Sequence, residues 1–184
     1  METTERKVVL IMTMSIDGFV VGPEGMSTGG FPEPPELKRW KLDRIRRAGT
    51  HIMGRVSYEE MGPYWQRSRD DYAAPMNDIP KVVFSRTLEE ATWPDSSIAR
   101  GDLRDEIATL KRQPGGEIIA WGGATFAQAL AEAGLVDQYV ISTRPIAYGG
   151  GKPLFRGLTD ALRLKVLLTS VYDNGTMLRV YDPR

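Results

Sequence analysis

Apolar positions fall into short runs separated by glycine-rich turns and by stretches with helical spacing. Residues 8–16 (VVLIMTMSI) are apolar almost without a break, the pattern of a strand covered on both faces of a parallel sheet. Asp17-Gly18 ends that run. Residues 22–35 (GPEGMSTGGFPEPP) hold four glycines and four prolines and predict a loop long enough to act as a lid. Residues 36–48 place Leu37, Trp40, Ile45 and Ala48 inward on a helix, while Lys38, Arg39, Lys41, Arg44, Arg46 and Arg47 predict a solvated basic face. Residues 50–53 predict a strand closed by Gly54-Arg55, and a helix begins over 57–61. Residues 66–80 read as polar loop, 81–84 (KVVF) as a strand and 97–99 as a brief one. Asp102 caps a helix whose inner face is Leu103, Ile107 and Leu110.

The stretch from 117 to 143 is the one around which the chain is organised. Residues 117–121 are a short apolar run, and Gly122-Gly123 then lets the backbone turn sharply and approach a ligand closely. Residues 124–133 follow at helical spacing, with Phe126, Ala127 and Leu130 on one face and Gly134 as the stop; 139–142 are apolar again. This is a βαβ unit, and the helix N-terminus at its turn favours a phosphate. A purely structural glycine turn has the same look, because the full G-x-G-x-x-G spacing is missing. Beyond it come a glycine-rich loop over 145–155, a strand with one wet face at Leu162, Leu164, Val166 and Leu168, and the hairpin signal Asp173-Asn174-Gly175-Thr176 leading into 177–181. Together these predict one α/β domain over 1–184, a mostly parallel central sheet with an antiparallel C-terminal hairpin at its edge.

Composition narrows the chemistry. Lys and Arg total 24, as do Asp and Glu, so charge gives no reason to expect nucleic acid or a membrane surface as partner. There is no cysteine and His51 is the single histidine, which leaves no thiolate or histidine metal site, no cysteine nucleophile and no Ser-His-Asp set. No run approaches the ~20 apolar residues of a membrane span. The N-terminus METTERK lacks the apolar core of a signal peptide, so a cytoplasmic protein is expected.

Three strand ends carry chemistry of one kind: Gly54-Arg55, Ser85-Arg86 and Gly122-Gly123 each sit just past an apolar run. Ligands of open parallel sheets bind at that edge. Two arginines, a serine hydroxyl and a helix N-terminus suit a dinucleotide with an extra phosphate. Glu36, at the first turn of a helix, and Asp17, in a Ser-Ile-Asp-Gly turn, are the candidate acids. Each also has a plain structural reading, as a good helix start and as a turn-former. Trp121 could be core or could wall a planar ligand, and His51 reads as packed or half exposed in a strand, not as catalytic.

In this order, MTMSIDGFV, HIMGRVSYEEMG, KVVFSR and AWGGATFAQALAEAGLVDQYVIS resemble the dihydrofolate reductase fold, and most of all its branch that includes the reductase domain of bacterial riboflavin biosynthesis. The resemblance implies NADPH as hydride donor and often a homodimer. By motif position it implies a cofactor turn at Gly54, Arg55, Val56 and Ser57, 2′-phosphate contacts at Ser85 and Arg86, and a pyrophosphate loop at Gly122, Gly123, Ala124, Thr125 and Phe126. It implies substrate contacts at Met14, Ile16 and Asp17, and places Glu36 near the acid that faces the pterin in dihydrofolate reductases. The zinc deaminase domain that often accompanies the riboflavin enzymes has neither its cysteines nor room here. The expected activity is NADPH-dependent reduction of a dihydrofolate-like or ribosylaminopyrimidine-like heterocycle; a nucleotide-binding module without turnover is the alternative.

Overall fold

The computed structural model describes residues 5–26 and 31–184. In chain order the elements are β1 (Val8–Ser15), β2 (Phe19–Val21), α1 (Pro35–Ile45), β3 (Thr50–Gly54), α2 (Arg55–Trp65), α3 (Ala73–Asp78), β4 (Lys81–Phe84) and β5 (Ser96–Ala99). They continue as α4 (Leu103–Arg112), β6 (Ile118–Trp121), α5 (Ala124–Glu132), β7 (Gln138–Arg144), β8 (Lys152–Pro153), β9 (Leu164–Val171) and β10 (Met177–Pro183). Eight strands form one sheet in the order β5-β4-β3-β6-β1-β7-β10-β9, and β2 pairs with β8 in a small ribbon. The middle of the expected lid, residues 27–30, lies outside the described residues.

The continuous apolar run of β1 has a direct cause. Val8 and Leu10 face one side of the sheet, Val9 and Ile11 the other, and both sides are covered. On the first side α4 and α5 bring Ile107, Leu110, Phe126, Ala127 and Leu130 against Ile52 and Ile118. On the second, Leu37 and Ile45 of α1 pack on Ile119, and Met53, Tyr58, Met76, Val83 and Trp93 fill the space beneath α2 and α3. Each Val, Leu, Ile, Phe or Met side chain among them contributes roughly 1.5–3 kcal/mol by leaving water.

The expected antiparallel C-terminal hairpin is β9–β10 at the sheet's edge, where β10 is antiparallel to both β7 and β9. Three expectations need correction. The strict alternation expected along β9 breaks at Leu167, an extra residue between Leu168, opposite Val180, and Val166, opposite Tyr181. A bulge of one residue flips the faces, so Leu164 packs with the α4–α5 side and Leu168 with the opposite one. The supposed polar loop 66–80 contains α3, whose Ala73, Pro75 and Met76 are buried because Trp93, itself buried, needs a lid there. Finally, Lys41 does not belong to a solvated face. It is 7% exposed and lies one turn from both Leu37 and Ile45, on the buried side of α1.

His51 is fully buried in β3, which agrees with its reading as a packed residue. Trp121 Nε1 donates to His51 Nδ1 at 3.0 Å, so the ring's proton sits on Nε2 and is given to the Pro75 carbonyl at 3.0 Å. Burial pushes its pKa down to about 4, the charge of Lys81 adds to that, and the Pro75 carbonyl opposes it. An unfolded chain takes up this proton near pH 6.5 and the folded one only near 4. Stability from this group is therefore complete above about pH 6.5 and is lost as the pH falls toward 4, by about 3 kcal/mol in total. The single histidine makes the check simple: its Hε1 proton resonance should titrate near pH 4, and a midpoint near 6.5 would show that the buried neutral ring is wrong.

Candidate active site

Two glycine turns meet where the sheet changes direction. From β3 the chain crosses through α2 to β4, and from β6 it crosses through α5 to β7, on opposite faces of the sheet. Adjacent strands with diverging connections open a crevice at their C-terminal ends. Gly54 precedes α2, and a Cβ there would stand 3.1 Å from Phe126 Cβ of α5. Gly123 precedes α5 at φ +40°, ψ 134°, a conformation that favours glycine. Ser57 Oγ donates to the Gly122 carbonyl and ties the two turns together. Neither helix has a side-chain cap, so the first N–H groups of both are left for a ligand. Gly122 has a second reason for its missing side chain, because a Cβ there would overlap the Met12 sulfur.

The flanking cofactor candidates lie at the same edge. Ala124 and Phe126 are buried, and the Phe126 ring lies 5.1 Å from that of Phe84 at the end of β4. Arg55 and Val56 are exposed, with Arg55 paired to Glu59 at 2.7 Å on its own helix. Ser85 Oγ accepts from the Leu88 N–H at 2.9 Å and shapes the turn that carries exposed Arg86. Arg100, just past β5, donates to the Leu88 carbonyl at 2.6 Å and holds the same turn from the far side. Sequence reading passed over Arg100, although it follows an apolar strand just as Arg86 does.

The two candidate acids part company, and neither is the enclosed one. Asp17 accepts from Ser15 Oγ at 2.6 Å and from the Gly149 N–H at 2.7 Å. These hydrogen bonds, Ser15's first, hold its carboxyl at about 2, so it is ionised near neutrality and anchors the glycine loop after β7. Such a group has no proton to give there. Glu36 has a side chain 64% exposed, meets Arg39 at 3.5 Å, and lines a groove against the β9–β10 turn. The enclosed acid is Glu33, three residues earlier. Its Oε1 accepts from Lys41 Nζ at 2.7 Å and its Oε2 from the Tyr72 hydroxyl at 2.9 Å.

A clamp on the preceding residue fixes Glu33. Arg144, at the end of β7, donates to the Pro32 carbonyl at 3.1 Å and to Thr176 Oγ1 at 2.9 Å, and Asn174 gives Pro32 a second donor at 2.9 Å. Burial pulls the pKa values of Arg144 and Lys41 down, with Glu33 opposing in both, and raises that of Tyr72. Glu33, Lys41, Trp65, Tyr72, Met76 and Trp121 line a recess of about 150 Å³. Trp121 is the residue before Gly122, so the recess opens beside the crevice. Met14 is half-buried at the end of β1, whereas Ile16 is 61% exposed. The spacing Leu37, Lys41, Ile45 was the available signal for Lys41; nothing local pointed to Glu33 or Tyr72.

Residues 6–178 match the RibD C-terminal domain family. The uncharacterized protein YyaP of Bacillus subtilis (strain 168) is 28% identical over 182 residues, which cover 96% of this chain and 95% of that one. The crystal structure of a putative riboflavin biosynthesis protein from Shewanella sp. PV-4 has the same fold, with a TM-score of 0.80 at 23% identity, covering 97% of this chain and 99% of the other. Dihydrofolate reductase from Enterococcus faecalis, solved with NADP(H), has a TM-score of 0.64 at 17% identity over 97% of this chain and 96% of its own. The fold thus has counterparts among reductase-like proteins, and the chain belongs to the RibD C-terminal domain family.

Proposed function

We propose that this protein is an NADPH-dependent reductase that passes a hydride to a small pterin- or pyrimidine-type heterocycle. One observation carries the reading: two helix N-termini without side-chain caps meet at Ser57 and Gly122, one residue from the Trp121 wall of the recess. Residues 54–57 and 122–126 would hold the pyrophosphate, and Arg55, Ser85 and Arg86 the 2′-phosphate. The cofactor supplies the hydride. The chain binds it, turns its reactive end toward the recess, and keeps water away with Trp121 and Met76. Met14 and Ile16 would border the substrate from the end of β1. No helix among the described residues is long and apolar enough to cross a membrane, and with zero net charge we infer a cytoplasmic enzyme without nucleic-acid or membrane partners.

Calorimetry should find NADPH bound more tightly than NADH. Arg86→Ala should weaken NADPH by about 1.5–3 kcal/mol, the range of a charge-assisted hydrogen bond, and leave NADH nearly unchanged. Equal affinity of the unmutated protein for the two cofactors would sink the phosphate assignment.

Gly123→Val should abolish NADPH binding. Its Cβ would stand 3.0 Å from Ser57 Oγ and must adopt a backbone that side chains rarely accept. Normal affinity in a folded variant would make the turn structural only.

We also infer a homodimer. β9 is an open sheet edge on which Val166, Leu167 and Val171 are exposed, and such edges are normally covered or charged. Sedimentation should find a dimer for the unmutated chain and a monomer for Leu167→Lys/Val171→Lys. A monomeric unmutated chain ends this idea.

A further inference from the structure

The recess beside Trp121 is rich in donors and short of acceptors. Its one carboxylate, Glu33, is already taken by Lys41 and Tyr72. Lys41 Nζ has three protons and spends one on Glu33; among the described residues it has no other hydrogen-bond acceptor. Trp65 lines the same wall, and its buried Nε1, an indole donor, has no partner among the described residues. Buried donors are rarely left unpaired, so an orphan of this kind asks for an explanation. The volume, about 150 Å³, is that of a cavity known to accept one benzene-sized ring. A ligand that satisfies these walls is flat, small at the inserted end, and carries acceptor atoms there.

We propose that Lys41 is the proton donor of the reduction, with the carbonyl or imine end of the substrate inserted into this recess. The proposal rests on the reductase reading above. Hydride from the reduced nicotinamide, which is thereby oxidised, adds to the electrophilic carbon of C=N or C=O. The π pair moves to the heteroatom, a Lys41 N–H bond breaks, and a new N–H or O–H bond forms. Lys41 is left as a neutral amine and regains its proton from solvent past the partly exposed Glu33. Trp65 Nε1 donates to a second acceptor of the ring. Glu33 and Tyr72 are positioning residues: they aim the ammonium without touching the reacting atoms.

The charged and titratable groups around Lys41 are Glu33 from the segment before α1, Tyr72 before α3, and Arg144 at the end of β7. His51, behind Trp121, stays neutral above about pH 4. Burial and Arg144 favour the neutral amine and Glu33 opposes them, with a net downward displacement. The reaction needs the protonated form, so the rate should fall as the pH rises through a lysine pKa below the ordinary 10.5.

The test is NADPH oxidation with a panel of dihydropterins and ribosylaminopyrimidines, run alongside calorimetric NADPH binding. Lys41→Met keeps the length of the side chain and removes the proton. It should lower kcat by at least ~10²-fold, erase the alkaline limb, and leave the NADPH Kd unchanged. Trp65→Phe should raise KM with kcat nearly intact. Should Lys41→Met fail to fold, because Glu33 then loses its cation, Glu33→Gln/Lys41→Met removes both charges and is read in the same way. A kcat within a few-fold of the unmutated enzyme, with the alkaline limb kept, overturns the role of Lys41 and leaves the reductase reading standing. Tight NADPH binding with no panel compound reduced by the unmutated protein overturns the reductase reading itself, and the role of Lys41 with it.

Discussion

The insertion of β6 between β3 and β1 is the constraint on which the site depends. The chain lays down β1, β3, β4 and β5 before β6 closes the gap. That late insertion sets α2 and α5 on opposite faces while bringing their first turns into contact. Gly54, Gly122 and Gly123 are then required by neighbours already in place: Phe126, Met12 and Ser57. The bare turns are a by-product of steric necessity, since the same lack of side chains that permits packing also bares the backbone N–H groups.

The mostly parallel sheet and its glycine turns were legible in the sequence because their causes are local. Burial on both faces writes itself as an unbroken apolar run, and a tight strand-to-helix turn writes itself as glycine. The recess was illegible for the opposite reason. Glu33, Lys41, Tyr72 and Arg144 come from four separate segments, and only tertiary packing makes them neighbours. Lys41 was hidden in a run of basic residues on α1, although its spacing from Leu37 and Ile45 follows the apolar stripe. The β9 bulge was hidden as well, because an extra residue in one strand shows only against its partner.

The acids carry the same lesson. Glu36 and Asp17 drew notice by their places next to a helix start and a strand end, where carboxylates have ordinary local uses. Those uses account for them: Asp17 spends its oxygens on Ser15 and the loop at Gly149, and Glu36 stands in solvent beside Arg39. Glu33 has no local use. Its partners sit on other elements and its cation, Lys41, is buried, which is costly unless the pairing is well made.

Arg144 gives the segment ahead of α1 an unusual independence. Pro32 is gripped by a side chain from β7 and another from the β9–β10 turn, and the Phe31 ring lies 5.4 Å from the Arg144 guanidinium. The position of Glu33 is thereby inherited from the sheet, not from the chain that leads up to it. Insertions or deletions ahead of Phe31 therefore leave the acid where it is. The length of the chain ahead of this clamp and the placement of the carboxylate behind it are in that sense separately inheritable.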